Sequence, residues 1–484
     1  MSQSVQWWAI TPPLCLFGGA VLALLGDTFR PARRASLPVS VALTATVAAS
    51  AVAAWLHGSS RATFCLPPTG PRPVDCSWVV DDVTVTWWLI VVGATALVTL
   101  LSQPAMARAE LPAGEYCFLL LTSATGALCV AASADLVTLL VSMETVSLPA
   151  FALVGLRSDH RLGSEAALKF FVASVTATAI TLLGISLVYG ATGSVAAGSV
   201  AASVAGGAAI TPVVGVGMVL TLVGLAFKVA VVPFQVWVPD TYVGAPVPVA
   251  AYLSVVSKVA GLAGLTIVVV RFFPSEVGTW SVVVGVGAAL TMTVGNVAAL
   301  RQPHLVRLLA WSSVAQAGYL LVPLAAGGSA PDVGALQAYA LMYGVVNLGA
   351  FAVVAAVSAW GVAEIAEIRG LVRRSPGLGV SLGFALLCLA GLPPGVVGLL
   401  AKVVIFQSAV DGAVVWLAVV MAVNVAIGLV YYLRLLYALV APVPSDTELP
   451  TGPVSWPTAV VVAGTLGAAV VLSVAPGPLF AVIP

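Results

Sequence analysis

The only lysines in this 484-residue chain are Lys169, Lys228, Lys258 and Lys402, and all four fall inside long apolar runs. A lysine taken out of water can hold and release a proton, whereas an arginine stays charged at any relevant pH. One carboxylic acid, Glu144 in LVTLLVSMETVSLPAF, also lies well inside such a run. Its side chain is either ionised or kept neutral by a hydrogen-bonded neighbour. A lysine at the centre of a membrane helix costs about 2.5–3.5 kcal/mol, so four cost on the order of 10 kcal/mol unless partners or water compensate. Residues kept at that cost are candidates for moving protons or ions.

Depth separates the four. Lys258 follows Pro246 by twelve residues, about 18 Å along a helix and near the middle of a roughly 30 Å core. Lys228 is comparably deep, and Lys402 lies past the middle of its run. Lys169 is so close to the start of its run that both readings stand, a functional cation or a side chain snorkelling to the interface. Pro233, five residues after Lys228, removes a helix donor and disturbs the carbonyl four residues back. Pro393-Pro394 in LAGLPPGVVGLLAKVVIF makes a second break, with Lys402 following it. Such irregular backbone survives at membrane depth only where protein or water lines it.

The elements that position these groups must be membrane helices. Hydrophobic residues make up 61% of the chain and charged residues 8%, too little polar surface for a soluble fold. The apolar runs predict an all-α polytopic membrane protein of fourteen spans, near 9–27, 36–56, 83–102, 115–132, 134–155, 166–190, 213–239, 246–272, 278–299, 303–325, 333–359, 376–409, 413–440 and 456–481. The first span reads as an uncleaved anchor with its N-terminus outside. Inner loops then hold twelve arginines (Arg30, Arg33, Arg34, Arg108, Arg157, Arg161, Arg301, Arg307, Arg369, Arg373, Arg374 and Arg434) and outer loops three, Arg61, Arg72 and Arg271. That bias is the positive-inside pattern, with both termini outside a multi-pass cell-membrane protein. The breaks fall in the seventh and twelfth spans, which divides the chain into three N-terminal spans (1–114), a five-span unit (115–272), a second and inverted five-span unit (273–440) and a last span (441–484). Discontinuous helices in matching positions of an inverted repeat mark where charge is handled.

PFQVWVPDTYVGAPVPVAAYLSVVSK at 233–258 resembles the signature of the N subunit of proton-translocating NADH:quinone oxidoreductase, respiratory complex I. The family reads Pro-Phe-His-x-Trp-x-Pro-Asp-x-Tyr-x-Gly-Ala-Pro-x-Pro-Val and leads to Ser-Lys. Glu144, Lys169, RLLAWSSVAQAGYLL at 307–321 and the Leu-Ala-Gly-x-Pro-Pro break before Lys402 match as well, so the likeness covers roughly residues 115–440. Sister M and L subunits and Mrp-type antiporters typically place histidine where this chain has Lys258. Gln235 and Gln316 stand where the family has histidine, Val306 replaces a basic residue, and the stretch from Pro394 to Lys402 is one residue longer. Glutamine can order a water chain but cannot hold an extra proton. Gln235, Gln316, Asp240 and His304 are therefore read as water-chain candidates, His304 being either a cytoplasmic proton mouth or an ordinary loop residue.

The resemblance implies a proton-translocating subunit without redox chemistry of its own. Ionised Glu144 would hold the proton on Lys228, Lys258 would relay it, and Lys402 would gate the outer exit. It also implies partner subunits of the membrane arm carrying FMN, iron–sulfur clusters and quinone, with no cofactor in this chain. No Cys-x-x-C pair, glycine-rich phosphate loop or basic patch appears, so metal-cluster, nucleotide and nucleic-acid roles have no motif. Cys65 and Cys76, in CLPPTGPRPVDC, are either a disulfide or two thiols. Two other functions remain open: a stand-alone Mrp-type cation/proton antiporter, which the Tyr-x-Gly-Ala-Pro run and Lys258 argue against, and a non-pumping scaffold, which has no reason to keep four costly lysines.

Overall fold

Long runs of Val, Leu and Ala leave each backbone N–H and C=O to be satisfied within its own segment, and in lipid a helix does this. The computed structural model describes residues 5–29, 36–65, 75–108, 110–157, 161–207, 211–443 and 450–481. Arg30, Arg33, Arg34 and Arg72 of the arginine pattern lie outside them. The chain begins with α1 (Trp7–Phe29) and α2 (Ser36–Leu56), forms a hairpin of β1 (Arg61–Cys65) and β2 (Cys76–Val80), and crosses back as α3 (Asp82–Ala107). There follow α4 (Ala113–Ala132), α5 (Leu136–Val154), α6 (Arg161–Thr192), the short α7 (Ala197–Ala205), α8 (Thr211–Val229), α9 (Trp237–Gly244), α10 (Val247–Tyr252) and α11 (Lys258–Ile267). The remainder comprises α12 (Val277–Ala299), α13 (Leu305–Ala325), α14 (Ala330–Ser358), α15 (Leu371–Arg374), α16 (Pro376–Ala390), α17 (Val396–Asp411), α18 (Val415–Val440), α19 (Trp456–Val474) and α20 (Gly477–Phe480).

Among the described residues, 13 helical stretches are long and apolar enough to cross a membrane. The fourteenth crossing is shared by α16, of 15 residues, and α17, of 16. At 1.5 Å per residue each is about 22–24 Å long, too short for a roughly 30 Å core, so the two together make the span. The expected fourteen are reached in this way.

A short two-stranded hairpin accompanies the helices. Alternating side chains in Arg61–Cys65 and Cys76–Val80 pair in antiparallel register, and a Cys65–Cys76 disulfide closes the loop between them, which resolves the alternative left open by sequence. The hairpin covers helix ends: Trp78 Nε1 donates to the Ala9 carbonyl at 3.0 Å, and the Asp75 carboxylate accepts from the Ser199 amide and hydroxyl.

The centre is built from α10, α11, α13 and α14. Every residue of α11 is buried, as is nearly all of α13. α14 touches α3, α10, α13, α16, α17 and α19, so it joins early and late parts of the chain. Elsewhere α4 packs on α5 and α6 on α8, while α12 packs on α13 and α14 on α16 and α17.

Candidate functional site

The first break begins where α8 stops at Val229, four residues ahead of Pro233. Ala230 takes a left-handed φ of 70°. The freed groups find new partners: Val231 N–H donates to Ala226 O at 3.0 Å, Val232 N–H to Thr291 Oγ1 at 3.0 Å, and Trp237 Nε1 to Phe227 O at 3.4 Å. Lys228 sits in the last turn of α8, the end that favours a cation. Its Nζ lies 5.8, 5.5 and 5.5 Å from the ring centres of Phe151, Phe170 and Phe227, and Trp237 stacks on Phe170 at 4.3 Å. With 4% of the residue exposed, that ammonium has no hydrogen-bond partner among the described residues. Aromatic faces therefore supply its local negative potential.

Glu144 and Lys228 make no direct contact among the described residues. Glu144, half-buried on α5, accepts a hydrogen bond from Thr178 Oγ1 at 2.5 Å, and among the described residues no ion pair joins it to Lys228. Aromatic side chains occupy the space around the ammonium. Gly261, one turn beyond Lys258, is what lets α8 lie against α11: a Cβ there would stand 2.8 Å from Lys228 Cβ.

Lys258 is 1% exposed, and its Nζ donates to the Ser313 carbonyl of α13. It directly follows a π-helical turn, Leu253–Ser257. Such turns leave carbonyls without their usual helical donors. Tyr343 Oη lies 3.1 Å from Ser254 O and 2.8 Å from Ser313 Oγ, while Asn347 Nδ2 donates to Ser254 Oγ at 2.7 Å.

At the second break α16 ends on Gly391, whose φ of +80° is disfavoured for a residue with a Cβ. The break bares the last carbonyls of α16, and Lys402 of α17 takes them: Nζ donates to Leu389 O at 2.6 Å and Ala390 O at 2.7 Å. A Cβ at Gly391 would come within 3.1 Å of Lys402 Cδ. Gln316 Nε2 reaches the same Leu389 carbonyl at 3.4 Å and Tyr432 Oη at 3.1 Å, and Tyr339 donates to Gln316 Oε1 at 2.5 Å. Ser312 Oγ adds a 2.6 Å bond to Tyr432 Oη. Neighbouring turns of α13 thus serve both Lys258 and Lys402.

The other candidates are placed elsewhere. Lys169 is 48% exposed and pairs with Glu165 at 2.8 Å and Asp240 at 3.0 Å, which is the snorkelling position. Asp240 also binds Arg307 at 2.7 Å, so it ties α9 to α6 and α13 in a half-exposed ion cluster. Pro239 and Asp240 lie within α9. His304 caps α13, its Nδ1 accepting from the Arg307 amide at 3.4 Å. Burial, reinforced by the Arg307 charge and opposed by nearby Glu364, holds its imidazole below the ordinary value of 6.5. Gln235 lies in the first break with a buried Oε1 that no described residue reaches.

Sequence reading missed the aromatic cage of Lys228 and a second polar cluster. In that cluster Asn296 Nδ2 donates at 3.1 Å to Tyr319 Oη and Asn424 Oδ1, and Tyr431 donates to Asn296 Oδ1 at 3.0 Å. The signal available for the second was two asparagines within apolar spans, Asn296 and Asn424. The cage had no comparable signal, because phenylalanine is ordinary in a span.

Residues 133–428 match the family described as NADH:quinone oxidoreductase/Mrp antiporter, transmembrane. The chain is 50% identical over 466 residues to NADH-quinone oxidoreductase subunit N 2 of Streptomyces griseus subsp. griseus, spanning 94% of this chain and 86% of that one. It is 43% identical over 453 residues to NADH-quinone oxidoreductase subunit N of Salinispora tropica, spanning 91% and 86%. Among solved structures it is similar to a chain of respiratory complex I from Thermus thermophilus with bound aureothin, with 30% identity, a TM-score of 0.77 and coverage of 96% and 97%. A chain of the Mrp complex from Dietzia sp. shares the fold at 20% identity, with a TM-score of 0.85 and coverage of 98% and 95%.

Proposed function

The chain belongs to the NADH:quinone oxidoreductase/Mrp antiporter family, among its subunit N members, and on that premise we propose that its buried lysines carry the proton that this class of subunit moves. It is a membrane subunit of NADH:quinone oxidoreductase that works beside other membrane-arm subunits. Flavin, iron–sulfur and quinone chemistry belongs to those partners, and electron transfer there drives transport here.

The observation that carries the reading is the near-complete burial of Lys228, Lys258 and Lys402, at 4%, 1% and 7% exposure, on elements joined through Gly261 and α13. Three buried cations would be a pure cost in a scaffold. Lys228 accepts a proton under the field of Glu144, Lys258 receives it across the α8–α11 contact, and Lys402 passes it out beyond the second break. Moving one proton against 100 mV takes about 2.3 kcal/mol, within reach of a charge displaced near such a group. The inner face is the arginine-rich one, with both termini outside. A cysteine replacing Arg373 should then react with impermeant thiol reagents only from the cytoplasmic side.

The test is proton uptake into inverted vesicles, normalised to electron transfer and to assembled complex. Lys228→Met keeps length and deletes the titrating group, so assembly should persist while uptake fails. Lys228→Arg should fail too, since the guanidinium never releases its proton. Glu144→Gln should weaken coupling by removing the controlling charge. Uptake at the wild-type ratio in Lys228→Met would make the lysine structural. Migration of the solubilised chain near 50 kDa on a native gel, outside any large assembly, would favour the stand-alone antiporter.

A further inference from the structure

A cavity of about 420 Å³ opens where α3 and α14 end and α10 and α19 begin, away from the lysine pathway. Because all four helices terminate there, it sits at the level of the lipid headgroups on the arginine-rich face. Its wall reaches one to two turns into the spans, through Leu101 of α3 and Ala355 of α14, and is apolar. Its rim holds two guanidiniums sharing one carboxylate: Arg108 Nε stands 2.6 Å from Glu110 Oε1, and Arg157 Nη2 stands 2.8 Å from Glu110 Oε2.

This triad is charged in a particular way. The bond from Arg108, aided by the charge of Arg157, holds the Glu110 carboxyl below its ordinary value, so it stays ionised near neutral pH. Two cations and one anion leave a single net positive charge. Each guanidinium carries five N–H donors. Among the described residues Glu110 takes two from Arg108 and one from Arg157. The shared carboxylate orients both forks and leaves most of their donors without a partner among the described residues. The first turn of α19 opens on the same space, with Ser455 forming no side-chain cap and bonding instead to Thr458 at 2.9 Å. The helix end therefore adds positive potential.

We propose that this cavity binds one anionic phospholipid, its phosphate on Arg108 and Arg157 and the start of an acyl chain along the apolar wall between α3 and α14. A free phosphate would use the rim and leave the wall bare. A zwitterionic choline lipid would bring a cation against the guanidiniums. The paired forks suit a phosphate bidentately, as a lone lysine would not.

The experiment uses the full chain purified in mild detergent and stripped of lipid, with binding read by native mass spectrometry. Phosphatidylglycerol, phosphatidylcholine of the same acyl chains and inorganic phosphate are titrated separately. One phosphatidylglycerol should be retained, and phosphatidylcholine should bind roughly tenfold more weakly, as should phosphatidylglycerol to the Arg108→Gln/Arg157→Gln variant. Arg373→Gln makes a charge change on the same face outside the cavity and should leave binding unaltered. Should the double glutamine variant not fold, Arg108→Lys/Arg157→Lys keeps the charge, and a severalfold loss there supports recognition by the guanidinium forks. Equal binding of the two lipids, binding indifferent to the arginines, or displacement by inorganic phosphate would each overturn the proposal. So would a lipid held by the isolated chain but absent when the assembled complex is measured, since a partner segment would then fill the cavity.

Discussion

The two broken spans solve one problem in opposite ways. At the second, the carbonyls bared by the end of α16 accept two hydrogen bonds from Lys402, so break and lysine satisfy each other. At the first, the bared groups pair with backbone, Thr291 and Trp237, and Lys228 is left facing three aromatic rings. A cation fixed by two oxygens is tied to the helix end, while one held by ring faces is restrained only by a weaker, less directional attraction. The contrast assigns Lys402 a structural share that Lys228 lacks, and leaves Lys228 the more responsive to a charge such as Glu144.

The largest expected difference is in stability. Lys402→Met strips the donor from the buried Ala390 carbonyl and leaves Leu389 O only the 3.4 Å bond from Gln316, and should cost about 2–4 kcal/mol. Lys228→Met removes no hydrogen bond and places a thioether against aromatic rings, so its effect should stay under about 1 kcal/mol. Thermal melting of the purified chain in detergent measures both, and the reverse ranking would break the comparison. Next come the glycines. Gly391→Ala forces a Cβ into a left-handed backbone beside Lys402 and should lower stability by about 1–3 kcal/mol. Gly261→Ala has ordinary helical geometry but collides with Lys228 Cβ, so melting should shift less while proton uptake per electron falls.

A smaller effect separates the rings. Phe170→Leu takes away one face from Lys228, worth about 0.5–2 kcal/mol, and should reduce proton uptake severalfold without loss of assembled complex. Tyr319→Phe keeps its ring 5.7 Å from Lys402 Nζ and loses only the Asn296 bond. Uptake should hold, with stability down by about 1 kcal/mol. An equal loss of uptake in both would erase the distinction between cage and clamp.

The smallest effect concerns α13, which serves both Lys258 and Lys402. The folded state holds the His304 imidazole below its unfolded value of 6.5. Its contribution is therefore complete above that value and lost as pH falls through the folded pKa, where protonation destroys the Nδ1 acceptor of the cap. His304→Asn retains an acceptor and should flatten the decline of melting temperature on acidification below about pH 6.5. A slope identical to wild type would place the titration elsewhere.

Much of this molecule was legible before any fold was known. Spans follow from apolar runs, because a lipid solvent demands local satisfaction of the backbone. Breaks follow from Pro233 and Pro393-Pro394, because a missing N–H acts on the helix that contains it. The cost of burying Lys228, Lys258 and Lys402 is likewise a property of residue and run. Two readings were less secure for a physical reason. Lys169 and Asp240 lie near span ends, where a few residues of boundary decide between membrane and water, and α16 with α17 makes a crossing that neither helix makes alone.

What each lysine touches was decided only by tertiary structure. Lys258 donates to Ser313, 55 residues away, and Gln316 reaches Leu389, 73 residues away, by packing that no local pattern encodes. Lys228 meets a cage of Phe151, Phe170 and Phe227, drawn from α5, α6 and α8. Sequence alone determined that charge is buried at these positions, since that depends on a residue and its neighbours along the chain. Whether the charge meets an oxygen, a ring or a distant carboxylate depends on which helices lie side by side, and that is settled only when the spans assemble.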